Sequence, residues 1–177
     1  MTDLIVREIT PEETAAAAAL ISAAFAPVAV RYEFPQDQDL KRLTERLEEE
    51  REREVRQFGA WRGEKLAGYF SLEAKDEEVF EISRFCVRPE CQRQGLGEQL
   101  LRRAVAEIRR SGGVAAVCAV VGEDRSILHW LERNRFFEEV SGQVPGIPCP
   151  VYILQKDLPP EGGCAPEQCA GCAGGCG

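Results

Sequence analysis

The most informative segment of the chain is Val87-Arg88-Pro89-Glu90-Cys91-Gln92-Arg93-Gln94-Gly95-Leu96-Gly97. It follows an apolar segment at 79–87 that predicts a strand, and it leads into an amphipathic helix that runs to about Arg110. Glycine lets backbone N–H groups approach a ligand closely, and a helix N-terminus carries a partial positive charge. The combination predicts a cradle for a diphosphate. On these residues alone, a helix start that binds nothing is the favoured alternative, because the glycine spacing matches neither a P-loop nor a dinucleotide fingerprint.

Periodicity over the rest of the chain predicts the order strand, two helices, three strands, helix, strand, helix, two strands. The first helix begins at Thr10-Pro11 and is expected to end at Pro27, and a charged second helix covers 39–55. This order is typical of an α/β (α+β) fold with a mixed sheet. After Asp157 the composition changes to Gly, Cys, Ala, Pro, Glu and Gln, which cannot bury enough apolar surface to fold alone. We therefore expect one domain over 1–157 and a flexible tail over 158–177.

The charge balance limits the partners that the protein can have. The 177 residues include 22 Lys and Arg against 30 Asp and Glu, for a net charge of −8. Nucleic acid is therefore disfavoured, whereas cationic partners such as amines are favoured. No stretch approaches the roughly 20 apolar residues that a bilayer span needs, and the first residues do not form a signal peptide. We expect a cytoplasmic protein without a membrane partner, and a homodimer stays open.

Two motifs resemble those of one family. Gln92-Arg93-Gln94-Gly95-Leu96-Gly97 resembles the Gln/Arg-x-x-Gly-x-Gly/Ala signature of the GNAT superfamily of N-acetyltransferases, and it follows a Val-x-Pro step that is common there. The element order is similar over 1–157, and Trp130-Leu131-Glu132-Arg133-Asn134-Arg135-Phe136 resembles the family's later motif. The resemblance implies a mostly antiparallel central sheet of about seven strands flanked by helices. It also implies acetyl-coenzyme A as co-substrate and an amine, on a small molecule or a protein, as acceptor.

The resemblance assigns the cofactor site to two segments and one further side chain. Backbone amides of the glycine loop would hold the pyrophosphate. The end of the preceding strand would pair with the pantetheine arm and polarise the thioester carbonyl. Asp124 stands where the family usually has an asparagine that contacts this arm. The residues assigned to the cofactor are Phe85, Cys86, Val87, Gln92, Arg93, Gln94, Gly95, Leu96, Gly97 and Asp124.

Glu81 is the candidate catalytic residue. It matches the glutamate that the histone-acetylating branch of the family uses as general base. An ammonium acceptor with a pKa near ~10 must lose a proton before it attacks the thioester, so a carboxylate has a chemical task here. A glutamate that faces solvent, or one that pairs with Arg84, is the equally weighted alternative. Leu131 stands where many members have a tyrosine that protonates the thiolate, so the resemblance provides no general acid.

Four cysteines are concentrated in the tail as Cys164-x4-Cys169-x2-Cys172-x3-Cys176. Four thiolates separated by short spacers of small residues suit zinc, and the first three spacings also resemble an iron–sulfur pattern. A redox-active tail without a metal is the alternative. Elsewhere, Cys149 lies in the proline-rich loop where acceptors of the family often enter and is the candidate for a reactive thiol, whereas His129 is expected to lie on the surface or in packing.

Two functions follow from these observations. The leading hypothesis is an N-acetyltransferase in which a primary amine attacks the thioester of acetyl-coenzyme A directly, with residues 31–38 and 141–150 selecting the acceptor. The second is a non-catalytic sensor or scaffold that binds acyl-coenzyme A and whose tail responds to metal or redox conditions. Leu131 and the tail favour this second hypothesis.

Overall fold

In this computed structural model, which describes residues 4–33, 39–122 and 124–159, the described chain forms seven strands and four helices. The strands are β1 (Leu4–Glu8), β2 (Arg56–Arg62), β3 (Lys65–Ala74), β4 (Val79–Val87), β5 (Ala115–Val121), β6 (Phe137–Gln143) and β7 (Pro150–Asp157). The helices are α1 (Thr14–Arg31), α2 (Leu40–Glu52), α3 (Leu96–Arg110) and α4 (Arg125–Arg133). Short 3-10 turns at Pro11–Glu13 and Pro89–Cys91 precede α1 and the glycine loop.

The seven strands form one sheet in the order β1-β2-β3-β4-β5-β7-β6. Every neighbouring pair is antiparallel except β4 and β5, which are parallel because the chain crosses over between them through α3. The predicted α+β fold, with a mostly antiparallel sheet of seven strands flanked by helices, is therefore confirmed.

Helices pack on both faces of the sheet. Successive strand residues point to opposite faces, and in β3 this places Tyr69 in the cluster under α1 and α2 and Phe70 in the cluster under α3 and α4. The stripe that the sequence predicts along α3 is buried, at no more than 1% exposure for Leu96, Leu100, Ala104 and Ile108. Burial of a large aliphatic side chain contributes about 1.5–3 kcal/mol, so this stripe fixes α3 on the sheet.

The end of α1 differs from the expectation. Pro27 lies inside the helix, which continues to Arg31. Proline removes a single backbone donor, and the turn after it still forms, since the N–H of Tyr32 bonds to the carbonyl of Val28 at 3.1 Å.

The hydropathy of α1 also differs from the expectation. Within the 21-residue segment Pro11–Arg31, an 18-residue window has a mean hydropathy of 1.6, so the segment is long and apolar enough, by length and composition alone, to cross a membrane. The expectation that no stretch approaches this length is wrong. The helix of a folded core passes the same test, and the buried residues of α1, which include Leu20 and Ile21, pack in the cluster with Tyr69 and Leu43.

Other boundaries differ by a few residues. The second helix spans Leu40–Glu52 rather than 39–55. The sequence predicts the last two strands at 136–140 and 151–154, and both are longer in the structure, where they pair with each other. Every residue of β6 is exposed, since it is the outermost strand. A strand without a buried face has no alternating pattern from which its ends can be predicted.

Candidate active site

The parallel strands β4 and β5 pair over only three residues and then part. Their pairing ends at Glu81 and Val117. Beyond this point β4 stays paired with β3, and β5 stays paired with β7. The edges of β4 and β5 that face each other therefore have no strand partner, and a cleft opens between them toward the glycine loop. Backbone groups along an unpaired edge can bind an extended ligand as an added strand would.

A β-bulge bends β4 beside this cleft. The register against β3 shifts by one residue after Ser83, which leaves Arg84 and Phe85 opposite the single residue Phe70. Arg84 has a φ of 49°, in the left-handed region that non-glycine residues rarely adopt. The bulge directs Phe85 to the side of α3 and Cys86 to the side of α1.

The glycine loop presents free donors at the start of α3. Gly95 caps the helix with a φ of 75°, and no atom lies within 4 Å of the position that a Cβ would take. Glycine adopts this conformation without strain, and the open space lets a ligand approach the backbone. Helical bonding begins with the N–H of Gln99, which donates to the Gly95 carbonyl at 3.2 Å. The amides of Leu96, Gly97 and Glu98 have no intrahelical acceptor, so the loop fits a pyrophosphate.

Glutamine side chains hold the shape of this loop. Gln92 Nε2 donates to the Val87 carbonyl at 3.1 Å, and Gln94 Oε1 accepts from the Arg62 guanidinium at 2.7 Å. Both side chains are therefore engaged within the protein, and the contact of these glutamines with the cofactor stays a prediction. Arg93, with a φ of 57°, makes no hydrogen bond or ion pair with any residue that the structure describes, which leaves its guanidinium available to a phosphate.

Aromatic side chains line the cleft on the α3 side. The rings of Phe85 and Trp130 lie 5.7 Å apart, centroid to centroid, and a Cβ on Gly97 would lie 3.5 Å from Trp130. Cys86 is oriented the other way and is 7% exposed, and burial raises the pKa of its thiol to about 12. The Cys86 thiol therefore lies on the α1 side of the sheet and not beside Phe85 and Trp130.

Asp124 and Leu131 have structural tasks in α4. The Asp124 carboxylate caps the helix by accepting from the Ser126 N–H at 2.9 Å and the Ser126 hydroxyl at 2.6 Å. These bonds lower the pKa of Asp124. An asparagine oxygen can cap a helix in the same way, so Asp124 forms the same helix cap as the asparagine that the family usually has at this position. Leu131 is 6% exposed in the core and offers no proton.

Glu81 stands where the cleft begins. Lys75 Nζ lies 2.5 Å from one of its carboxylate oxygens, and the Ser83 hydroxyl donates to the other at 3.0 Å. Lys75 also lies 3.1 Å from Glu73, which is directly opposite Glu81 on β3, and these contacts raise the pKa of Lys75. The alternative in which Glu81 pairs with Arg84 is therefore wrong, because its partner is Lys75.

Arg84 pairs instead with Glu50 at the end of α2. The pair is bidentate, with Arg84 Nη2 at 2.6 Å from Glu50 Oε1 and Arg84 Nη1 on the other oxygen. Glu50 is only 8% exposed, so this charge is buried with its partner. Sequence reasoning missed the pair, since Glu50 lies within a run of charged residues most of which face solvent.

The remaining candidates lie elsewhere. Cys149 is 2% exposed and burial raises its pKa, so the expectation of a reactive thiol there is wrong. His129 is exposed, with Nδ1 3.6 Å from Glu132. The tail cysteines Cys164, Cys169, Cys172 and Cys176 lie outside the described residues. Within residues 4–33, 39–122 and 124–159, no group of three or more His, Cys, Asp or Glu side chains is placed to hold a metal ion.

A parallel strand pair that parts beside a glycine-capped helix, within a mostly antiparallel sheet, gives this chain the fold of solved acetyltransferase structures. Residues 20–135 match the acetyltransferase (GNAT) family, and the chain belongs to this family. None of the curated proteins is similar enough in sequence to count as a relative.

Solved structures of this family have the same fold at low sequence identity. The ribosomal-protein-S18-alanine N-acetyltransferase from Escherichia coli is 16% identical with a TM-score of 0.72, over 88% of this chain and 94% of that one. An N-acetyltransferase from Staphylococcus aureus Mu50 is 15% identical with a TM-score of 0.72, over 89% and 99%. A GNAT family acetyltransferase from Elizabethkingia anophelis, solved with acetyl-CoA bound, is 16% identical with a TM-score of 0.65, over 89% and 100%.

Proposed function

We propose that this protein is an N-acetyltransferase that moves the acetyl group of acetyl-coenzyme A to a primary amine, on a small molecule or on a protein. The observation that carries the proposal is the cleft between β4 and β5 with the glycine loop at its mouth. The acetyl-CoA bound to the Elizabethkingia anophelis relative supports the choice of co-substrate. The net charge of −8 favours a cationic acceptor, and residues 31–38 and 141–150 are the segments we expect to select it.

Three features of the described residues fit acetyl-coenzyme A. The free amides after Gly95 and the guanidinium of Arg93 suit a pyrophosphate. The edge of β4 at Phe85 to Val87 has no strand partner on the side of β5, and it suits the amides of the pantetheine arm, although the Val87 carbonyl already accepts from Gln92. The ring of Trp130 offers an apolar wall. When bound, acetyl-coenzyme A supplies an acetyl group activated as a thioester.

Glu81 has the position to accept the proton that the acceptor ammonium must lose. It borders the cleft, its side chain is 24% exposed, and its ion pair with Lys75 holds it in one orientation. Lys75 is thus a positioning residue. A thiol has an ordinary pKa of about 8.5, so the leaving thiolate does not require a proton donor at the place that Leu131 occupies.

Calorimetric titration with acetyl-coenzyme A tests the site. We expect saturable binding to the unmodified protein and a loss of about tenfold or more in affinity for Gly95→Glu, because the new carboxylate fills the phosphate cradle and repels the phosphates. Gly112→Glu is the matched control. Gly112 has a φ of 85°, and its Cβ position is equally open, but it follows the opposite end of α3. Equal weakening in both variants would contradict the proposed cradle.

Mass-spectrometric screening of amines in the presence of acetyl-coenzyme A tests the reaction. Once an acceptor is found, Glu81→Gln should lower kcat by about 10²-fold or more, since general bases contribute about 10²–10⁴. Glu73→Gln is the matched control because Glu73 shares Lys75 and faces Glu81 across the strand pair. If both variants turn over as the unmodified protein does, Glu81 is not the base.

The second candidate function is the acyl-coenzyme A sensor or scaffold, favoured by Leu131 in the place of a proton donor. Binding without turnover of any amine would favour it. For the tail we propose a metal site formed by Cys164, Cys169, Cys172 and Cys176, in a cytoplasmic protein. Elemental analysis of anaerobically purified protein should show zinc or iron that is lost when all four cysteines are replaced by serine. Equal metal content in both proteins would overturn the metal site.

A further inference from the structure

A second concave site lies at the far end of α3. It is a cavity of about 830 Å³ between the last turns of α3 and the end of β7. Because a helix rises 1.5 Å per residue, Arg109 lies about 21 Å along α3 from Gly95. The cavity is therefore separate from the glycine loop and from the cleft that opens beside it.

The walls of the cavity combine apolar and cationic groups. Leu101, Val105 and Leu158 contribute apolar surface. Four cationic side chains also line it, namely Arg102, Arg109, Arg110 and Lys156, while no Asp or Glu does. A volume in this range, with apolar walls and a few convergent polar groups, is typical of a site for a small organic molecule.

Most of these cations lack a counter-charge. Arg110 pairs with Glu107, but Arg102 and Arg109 form no ion pair with any described residue. Lys156 Nζ donates to the neutral carbonyl of Asn134 at 2.7 Å. Burial, and then the nearby guanidinium of Arg109, lower the pKa of Lys156. In a chain with a net charge of −8, the positive charge at this place is unbalanced by its surroundings.

We infer that this cavity binds a small organic phosphate. The apolar or aromatic part of the ligand would pack against the apolar walls, and its phosphate group would contact Arg109 and Lys156. Arginine recognises phosphate through paired N–H donors in a fixed geometry, and lysine adds a compact positive charge. The anion would supply the counter-charge that the described residues lack. The inference is independent of acetyl transfer, because no residue of the cleft takes part in it.

Fluorescence titration with 1-naphthyl phosphate tests the inference. The comparison ligand is 1-naphthol, which has the same aromatic rings but no phosphate group. We expect saturable 1:1 binding of the phosphate at concentrations of about 1 mM or less, and weaker binding of the naphthol. Arg109→Gln/Lys156→Gln should weaken phosphate binding by about tenfold or more. Arg102→Gln/Arg109→Gln, which keeps the bond from Lys156 to Asn134, should weaken it as well.

Two controls separate the cavity from other sources of affinity. Lys41→Gln/Arg42→Gln removes the same charge from the exposed face of α2 and should leave binding unchanged. Gly95→Glu blocks the phosphate cradle of the glycine loop, which is remote from the cavity. This variant should therefore bind 1-naphthyl phosphate as the unmodified protein does. The inference is overturned if Gly95→Glu abolishes binding, if the α2 variant weakens it as much as the cavity variants, if naphthol binds equally well, or if no saturation is seen.

Discussion

Arg84, held in a left-handed conformation at the β-bulge of β4, forms a bidentate ion pair with Glu50 in the last turn of α2. The pair joins the strand that borders the cleft to the helix layer on the other face of the sheet. Glu50 is only 8% exposed, so water cannot solvate its carboxylate well. The guanidinium of Arg84 compensates this buried negative charge instead. The ion pair therefore ties the shape of the cleft edge to the position of α2.

Breaking this pair should be costly. Arg84→Ala leaves a buried carboxylate without its partner, and we expect the free energy of unfolding to fall by about 3 kcal/mol, measured by urea denaturation. Glu50→Ala/Arg84→Ala should lose less than the sum of the two single variants, because it leaves no unpaired charge. Additive losses would show that the two side chains are not coupled.

Gly113 should tolerate no side chain. A Cβ there would lie 2.5 Å from Ile108 and 2.6 Å from the ring of Phe80, closer than atoms can pack. We expect Gly113→Ala to lower the free energy of unfolding by about 1–3 kcal/mol in urea denaturation. Gly142→Ala is the control, since nothing lies within 4 Å of its Cβ position. Equal stability of the two variants would mean that the chain around Gly113 moves aside at little cost.

The buried thiols should resist alkylation. Burial raises the pKa of Cys86 and of Cys118 to about 12, so at pH 8 only about one molecule in ten thousand carries either thiolate. Cys91 is only partly buried. With iodoacetamide and peptide mass mapping, we expect Cys91 to be modified first among these three, and all three to react similarly in urea. Fast labelling of Cys86 in the native protein would contradict its burial.

Glu13 should give a pH-dependent contribution to stability. The Arg7 guanidinium, at 2.6 and 2.8 Å, holds the pKa of Glu13 at about 2, below its ordinary value of 4.5. A depressed pKa stabilises the fold above about pH 4.5, and this contribution is lost as the pH falls through about 2. We expect Glu13→Gln to lower the free energy of unfolding by about 1 kcal/mol at pH 7 and to leave it almost unchanged near pH 2. The expected loss is small because Arg7 is partly exposed and solvent screens the ion pair.

Urea denaturation at both pH values measures this difference. Glu48→Gln on α2 is the control, because Glu48 is exposed and makes no ion pair with a described residue. The stability difference for Glu48→Gln should not change with pH. A cost for Glu13→Gln that stays constant down to pH 2 would show that the carboxylate acts through shape rather than charge.

Much of the fold could be predicted from local patterns. The strand at 79–87, the glycine loop and the buried stripe of α3 depend on hydrophobic periodicity and on the conformational freedom of Gly95, which neighbouring residues already encode. The end of α1 was not predictable in this way. Pro27 is a helix breaker by its own chemistry, yet the helix continues past it.

The features of the candidate site also differ in whether local patterns can predict them. Local sequence is enough to predict that a strand leads through a glycine turn into a helix, and that this helix start offers free N–H donors, because these properties belong to consecutive residues. Three-dimensional packing is needed to show that β4 and β5 part after three pairs and that Arg109 and Lys156 line one cavity. It is also needed to show that Glu81 pairs with Lys75 and Arg84 with Glu50. These contacts join residues that are distant along the chain, and charge partners are selected by packing geometry that no local pattern carries.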